Sequence, residues 1–315
     1  MQLDRSGTRT ILWGRNAEHI HEMKRTRCNA RFLPDFVLSK SIDLQADLGS
    51  AIGSADHILL VVPSHAFGSM LEAIARHLRP DQGVAWACKG LEPGSGRFLH
   101  AVAREKLDHG RALAVVTGPS FAVEVAHDLP TAVTVAGQDR AFTKTMARAL
   151  HGGRFRAYTT QDIIGAEIGG AVKNVLAVAT GICDGMQLGD NARAALITRG
   201  LAEMMRLGHA LNARHETLMG LAGVGDLVLT CTGDLSRNRR LGLALGRGDS
   251  VERAVADIGQ VVEGVNTSLE VHRLAEKHQV SMPISTQIFG LIHLGWAPEE
   301  CLRRLLAREQ KAETN

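Results

Sequence analysis

The first half of the chain sets short apolar runs of strand length between longer stretches with apolar residues on one side only. The runs are TILW (Thr10 to Trp13), HILLVV (His57 to Val62), GVAWAC (Gly83 to Cys88), LAVVT (Leu113 to Thr117) and TAVTVA (Thr131 to Ala136), with RFRAY (Arg154 to Tyr158) closing the series. Helical patterns such as FGSMLEAIARHL stand between the earlier ones. A strand buried on both faces reads as an almost continuous apolar run, and alternation of such strands with helices predicts a parallel sheet covered on both sides.

Beyond Asp162 the period changes. DIIGAEIGGAVKNVLAVATGICDG and NARAALITRGLAEMMRLGHAL read as long helices, and shorter helical patterns follow to the end. The expected organisation is an α/β sheet domain over residues 1–160 and an all-helical domain over residues 161–315. The last residues, KAETN at 311–315, are expected to fray.

Within the first long helix, Lys173 interrupts a run of small apolar residues, with Gly169 and Gly170 one turn earlier on the same face. Long helical side chains lean toward the helix N-terminus, so this lysine would lie over two glycines. Each mid-helix glycine costs about 1 kcal/mol relative to alanine. Close helix packing would justify the pair, and so would space for a ligand beside the amine. A lysine that snorkels to water is the plainer alternative. Its neighbours Ala171, Val172, Val175, Ala177 and Val178 leave little polar surface, so the amine needs a partner.

Four other segments offer partners. Lys89 follows a predicted strand in WACKGLE, and ligands of open α/β sheets sit outside the carboxyl ends of strands; a solvated loop lysine is the alternative. In VVTGPSFAVEVA a strand turns at Gly118-Pro119 into a helix expected to start near Ser120, where backbone N–H groups could bind an oxygen or Ser120 could simply cap. In AGVGDLVLTCTGDLSRNRRLG, Asp226 is expected in a dry pocket. Ser236, Arg237 and Asn238 open a helix with donors suited to phosphate, and Arg239 and Arg240 read as a solvated basic face. In GQVVEGVNT, Glu263 reads as a capping acid.

Composition changes this picture little. The chain has 315 residues, 45% apolar and 22% charged, with a net charge of +3. That is ordinary for a globular protein of about two domains and too weakly basic to indicate nucleic acid. Five scattered cysteines without a CxxC pair suggest a reducing, cytoplasmic setting. The start, MQLDRSGT, has no apolar signal core, and no apolar run of about 18 residues suggests a membrane span. His21-Glu22 begins like HExxH, but Arg25 occupies the second histidine's place, and no other group has metal-ligand spacing; no metal is expected.

A parallel sheet with anion-binding lysines suggests a dinucleotide, whose sign is G-x-G-x-x-G after a first strand. GLAGVG (Gly220 to Gly225) has its glycines in the wrong order, and PGSGRFL lacks the third. RTILWGR instead reads as the second strand of a Rossmann-like fold, which puts Arg15 where an arginine accommodates the 2′-phosphate of NADP.

Taken together, the segments LWGRNAEHI, RCNARFLPD, ILLVVPSHAF, ACKGLE, GPSFAVEV, GGAVKNVLAVATG, NARAALITRGLAEM, GVGDLVLTCTGDLSRNRR and GQVVEGVNT resemble the bacterial-type NAD(P)-dependent glycerol-3-phosphate dehydrogenases along essentially the whole sequence. The resemblance implies reduction of dihydroxyacetone phosphate to sn-glycerol 3-phosphate for phospholipid synthesis. It implies Lys173 as the catalytic acid/base, with Lys89, Gly118, Ser120, Asp226, Ser236, Arg237 and Asn238 around the substrate. Arg15, Lys89, Ala122, Arg237, Val261 and Glu263 would touch NADPH, favoured over NADH, and a homodimer is compatible with it. The family's first strand and GAGSYG-like loop have no counterpart here, since the sequence starts within the helix that follows them. Two unpaired interior strand edges and weak or no dinucleotide binding are therefore expected. Two other readings stand beside this one. A β-hydroxyacid dehydrogenase would also use a helix lysine but would lack the Ser-Arg-Asn phosphate clamp. A non-catalytic remnant would account for the missing glycine loop.

Overall fold

The computed structural model describes residues 1–108 and 110–308; the tail at 311–315 lies outside them. The first half runs α1 (Gln2–Arg5), β1 (Ile11–Trp13), α2 (Ala17–Thr26), β2 (Cys28–Asn29), β3 (Leu33–Val37), β4 (Asp43–Gln45), α3 (Leu48–Gly53), β5 (Ile58–Leu60), α4 (Ser64–Ala75), β6 (Val84–Trp86), α5 (Leu99–Lys106), β7 (Leu113–Thr117), α6 (Ala122–Ala126), β8 (Thr131–Ala136), α7 (Arg140–Leu150) and β9 (Phe155–Thr160). The second half is helical: α8 (Ile163–Gly185), α9 (Asp190–Ala210), α10 (His215–Leu218), a π-turn over Leu221–Gly225, α11 (Asp226–Thr232), α12 (Arg237–Gly246), α13 (Val251–Ile258), α14 (Glu263–Lys277), α15 (Pro283–Leu294) and α16 (Pro298–Leu306).

Among the described residues the strands form three sheets. β5 to β9 lie side by side in chain order, β1 pairs in parallel with β4, and β2 and β3 make a separate antiparallel hairpin. Strands β5, β6 and β7 are parallel, as are β8 and β9, but β7 and β8 run antiparallel, with Val116 opposite Val135. The sheet is therefore dominated by parallel pairs, as expected, with one antiparallel step at β7–β8 that the sequence did not indicate. An apolar run shows that a strand is buried, not which way it points. The expected break falls between β1 and β5, which do not pair with each other. β2 to β4 were not anticipated, because they are short and mostly half-buried or exposed rather than continuous apolar runs.

Trp86, Val84 and Val115 on the central strands pack against Phe67, Leu71 and Ile74 of α4 and Leu99 and Val102 of α5. The opposite face takes Phe142, Met146 and Leu150 of α7. In the second half α8 is the central rod, and every residue from Gly165 to Cys183 is buried. By length and composition α8 could span a membrane, contrary to the expectation that no stretch would qualify. Its most apolar window is 94% buried inside the fold, so the apolarity is spent on neighbouring helices.

Candidate active site

Lys173 lies in the middle of α8, 5% exposed. Its Nζ donates to Asp226 Oδ1 at 2.5 Å and to Thr230 Oγ1 at 3.1 Å. Asp226, the first residue of α11 and 1% exposed, also accepts from Lys89 Nζ at 2.8 Å through its other oxygen. Lys89, three residues past the end of β6, donates as well to the carbonyl of Gly118, just past β7, at 2.8 Å. One carboxylate thus stands between two ammonium groups. Burial pulls the Lys173 ammonium down to about 7, outweighing the attraction of Asp226, while Lys89 adds a repulsive charge. The two lysines hold the Asp226 carboxyl below its usual range despite its burial.

An ammonium has three donors. Lys173 uses two on Asp226 and Thr230, and Lys89 uses two on Asp226 and Gly118, so each retains one N–H. The paired glycines prove to have different uses. A Cβ on Gly169 would collide with the carbonyl of Ala222 in the π-turn, so that residue permits close packing. A Cβ on Gly170 would meet the stem of Lys89 at 3.6 Å, an ordinary contact.

Around this triad the other expected residues fall into two groups. Asn238 on α12 donates from Nδ2 to Asn174 Oδ1 at 2.9 Å, and its Oδ1 accepts from Gly264 N at 2.9 Å, which knits α8, α12 and α14 together beside Lys173. Ser236 is buried and its Oγ accepts from Arg239 N as the N-cap of α12, leaving its proton free. Ser120 donates its proton to the Gly118 carbonyl at 3.0 Å, and Gly118 itself turns the chain at φ +125°. Glu263, the first residue of α14, accepts from Ser64 N at 3.0 Å and Ser64 Oγ at 2.5 Å. It caps α4 rather than its own helix. Arg15, Ala122, Arg237 and Val261 are exposed, and neither Arg15 nor Arg237 has a side-chain partner among the described residues.

Two expectations need correction. Arg239 is not on a solvated face: it is buried and pairs with Asp184 at 2.7 Å and Asp234 at 2.5 Å. Run composition could not separate it from exposed Arg240, which differs only in helical phase. The helix after Gly118-Pro119 starts at Ala122, not near Ser120. Asn174, Thr230 and Ser64 were missed. Asn174 directly follows Lys173, and Thr230 lies one turn after Asp226 on the same face, so helical spacing could have found Thr230.

A nicotinamide dinucleotide fits part of this surface. The free Arg15 guanidinium just past β1 suits a ribose phosphate, and the Lys89–Gly118 region lies at the carboxyl ends of β6 and β7, where such sheets bind ligands. No G-x-G-x-x-G turn occurs in the sequence to hold the pyrophosphate.

A mixed sheet whose strand ends face a helical half carrying a buried lysine–carboxylate pair defines a two-domain oxidoreductase of Rossmann type. Family models describing the NAD-dependent glycerol-3-phosphate dehydrogenase N-terminus and C-terminus match residues 1–143 and 162–303. A glycerol-3-phosphate dehydrogenase (NAD(P)+) of Stenotrophomonas maltophilia is 60% identical over 312 residues, covering 99% of this chain and 91% of the relative. The crystal structure of glycerol-3-phosphate dehydrogenase from Coxiella burnetii is 44% identical and superposes with a TM-score of 0.93, covering 98% of this chain and 94% of that one. A ketopantoate reductase from Ralstonia eutropha, 15% identical with a TM-score of 0.59 over 96% of this chain and 94% of its own, shares the fold alone. The chain belongs to the NAD-dependent glycerol-3-phosphate dehydrogenase family.

Proposed function

We propose that the protein reduces dihydroxyacetone phosphate to sn-glycerol 3-phosphate in the cytoplasm, feeding phospholipid synthesis, with NADPH preferred over NADH. Residues 1–160 would carry the dinucleotide and 161–315 the substrate. When bound, the dinucleotide supplies the hydride. The observation that carries the reading is the Lys89–Asp226–Lys173 cluster, which offers unspent N–H donors close to the carboxyl ends of β6 and β7.

As the carbonyl is reduced, its oxygen gains negative charge. Lys173 Nζ hydrogen-bonds that oxygen and passes it a proton. Asp226 and Thr230 fix the amine's position, and Lys89 adds positive potential at the same place. The Arg237 guanidinium, the Ser236 hydroxyl proton and the remaining N–H of Asn238 hold the phosphate, remote from the reacting carbon, so binding energy orients the ketone. Arg15 favours NADPH by pairing with the 2′-phosphate. The unpaired Arg237 beside Ser236 and Asn238 favours a phosphorylated substrate over a β-hydroxyacid.

The test is NADPH oxidation with dihydroxyacetone phosphate. Lys173→Ala is expected to abolish turnover while fluorescence titration shows NADPH affinity retained; measurable turnover would reject the acid/base role. Arg237→Ala is expected to raise KM for the phosphorylated ketone at least tenfold. An unchanged KM would reject the phosphate assignment.

A further inference from the structure

A cavity of about 350 Å³ lies away from the lysine cluster, where the strand β9 gives way to α8. Arg140 and Lys144 enter it from the first turns of α7, Thr159, Thr160 and Gln161 from the end of β9, and Arg214 from the connection between α9 and α10. None of its lining residues belongs to the site described above. Lys173 stands ten residues along α8 from Ile163, about 15 Å at the helical rise.

Arg140, Lys144 and Arg214, all exposed, line this cavity, and among the described residues no carboxylate does. The acids next to these lining residues in sequence, Asp139 and Asp162, are already committed. Asp139 Oδ1 accepts from Phe142 N, and Asp162 accepts from Gly165 N through one oxygen and from Arg214 N through the other. The scaffold orients the cations. Gln161 Oε1 accepts from the Arg140 guanidinium at 2.9 Å, and buried Asp162 anchors the backbone of Arg214 at 2.8 Å. Lys144 and the Arg214 guanidinium have no side-chain partner among the described residues. The Thr160 hydroxyl accepts from Asp162 N, which leaves its proton for a ligand. Like charges held together repel one another, and an anion between them relieves that repulsion.

We propose that this cavity is a second anion site, one that takes a small phosphorylated metabolite carrying at least two negative charges. Its size suits such a molecule, and its guanidinium groups suit phosphate oxygens. A bound anion would tie α7 to the α9–α10 connection across the start of α8, and so would raise thermal stability by ligand linkage.

Pyrophosphate is the probe, titrated by calorimetry and thermal shift at low ionic strength in Arg237→Ala protein, which weakens the catalytic phosphate site. Saturable binding with a raised melting temperature is expected. Adding Lys144→Ser and Arg214→Ser should weaken it at least tenfold, and Arg148→Ser, an exposed cation on α7 outside the cavity, should not. Should the paired change impair folding, the single changes Lys144→Gln and Arg214→Gln are each expected to weaken binding several-fold. Absence of saturable binding overturns the proposal, as does binding that survives the cavity substitutions. An equal loss from Arg148→Ser would mean diffuse attraction to a basic surface and would overturn it too.

Discussion

The Lys173 amine loses its proton near neutrality because burial removes it from water and Lys89 competes for the same carboxylate. The sign of the resulting pH dependence follows directly. If Lys173 is the proton donor, as proposed, reduction needs the charged amine, so kcat should fall as pH rises through about 7. On the same proposal, oxidation of glycerol 3-phosphate needs the neutral amine and should rise over the same range. Because Lys89 lowers the Lys173 value, Lys89→Met should move the residual pH profile upward. Profiles with the same midpoint in both proteins would show that the two ammonium groups are not coupled. The sequence alone marked Lys173 as an amine in need of a partner and Asp226 as a dry carboxylate. It could not show that Lys89 shares that carboxylate, since the contact joins residues 137 positions apart. Thr230 and Asn174 went unnoticed for a simpler reason, since neither type is unusual in a helix.

Helices α8 and α12 approach closely enough that glycine is required on both. A Cβ on Gly181 would strike the Arg239 carbonyl, and one on Gly242 the Val178 carbonyl. Gly185 and Gly246 repeat the arrangement one turn later. An exposed Gly→Ala change in a helix would gain about 1 kcal/mol from propensity. Here overpacking should dominate, and Gly181→Ala is expected to lower unfolding free energy by about 1–3 kcal/mol in urea titration. A neutral or stabilising result would mean that the helices can separate at no cost. The close approach also bears on the site, because the Asn174–Asn238–Gly264 bonds cross the same contact between α8 and α12. Sequence periodicity located both helices well but gave no sign of which glycines meet. The strands TAVTVA and LAVVT were legible to the residue, while the antiparallel step between them was not.

At the scale of the molecule, Asp162 secures the passage from sheet to helices. It N-caps α8 through Gly165 N and holds Arg214 N, so one buried carboxylate satisfies amides on two segments 52 and 3 residues away. Asp162→Ala should cost about 1–2 kcal/mol for the cap, and more for the second amide. Thermal unfolding would register this, and an unchanged midpoint would show that neither amide depends on the carboxylate. Glu263 makes a comparable link, with an acid at the start of α14 capping α4 in the other half. What the sequence determined by itself was the apolar strands β1 and β5 to β9 with helices between several of them, the change of character near residue 160 and the family resemblance, because periodicity and motif are local properties. The tertiary structure alone decided strand direction, the burial of Arg239 and the sharing of Asp226 between two lysines. Those depend on desolvation and on Coulomb interactions through space, which act between residues that chain order keeps far apart.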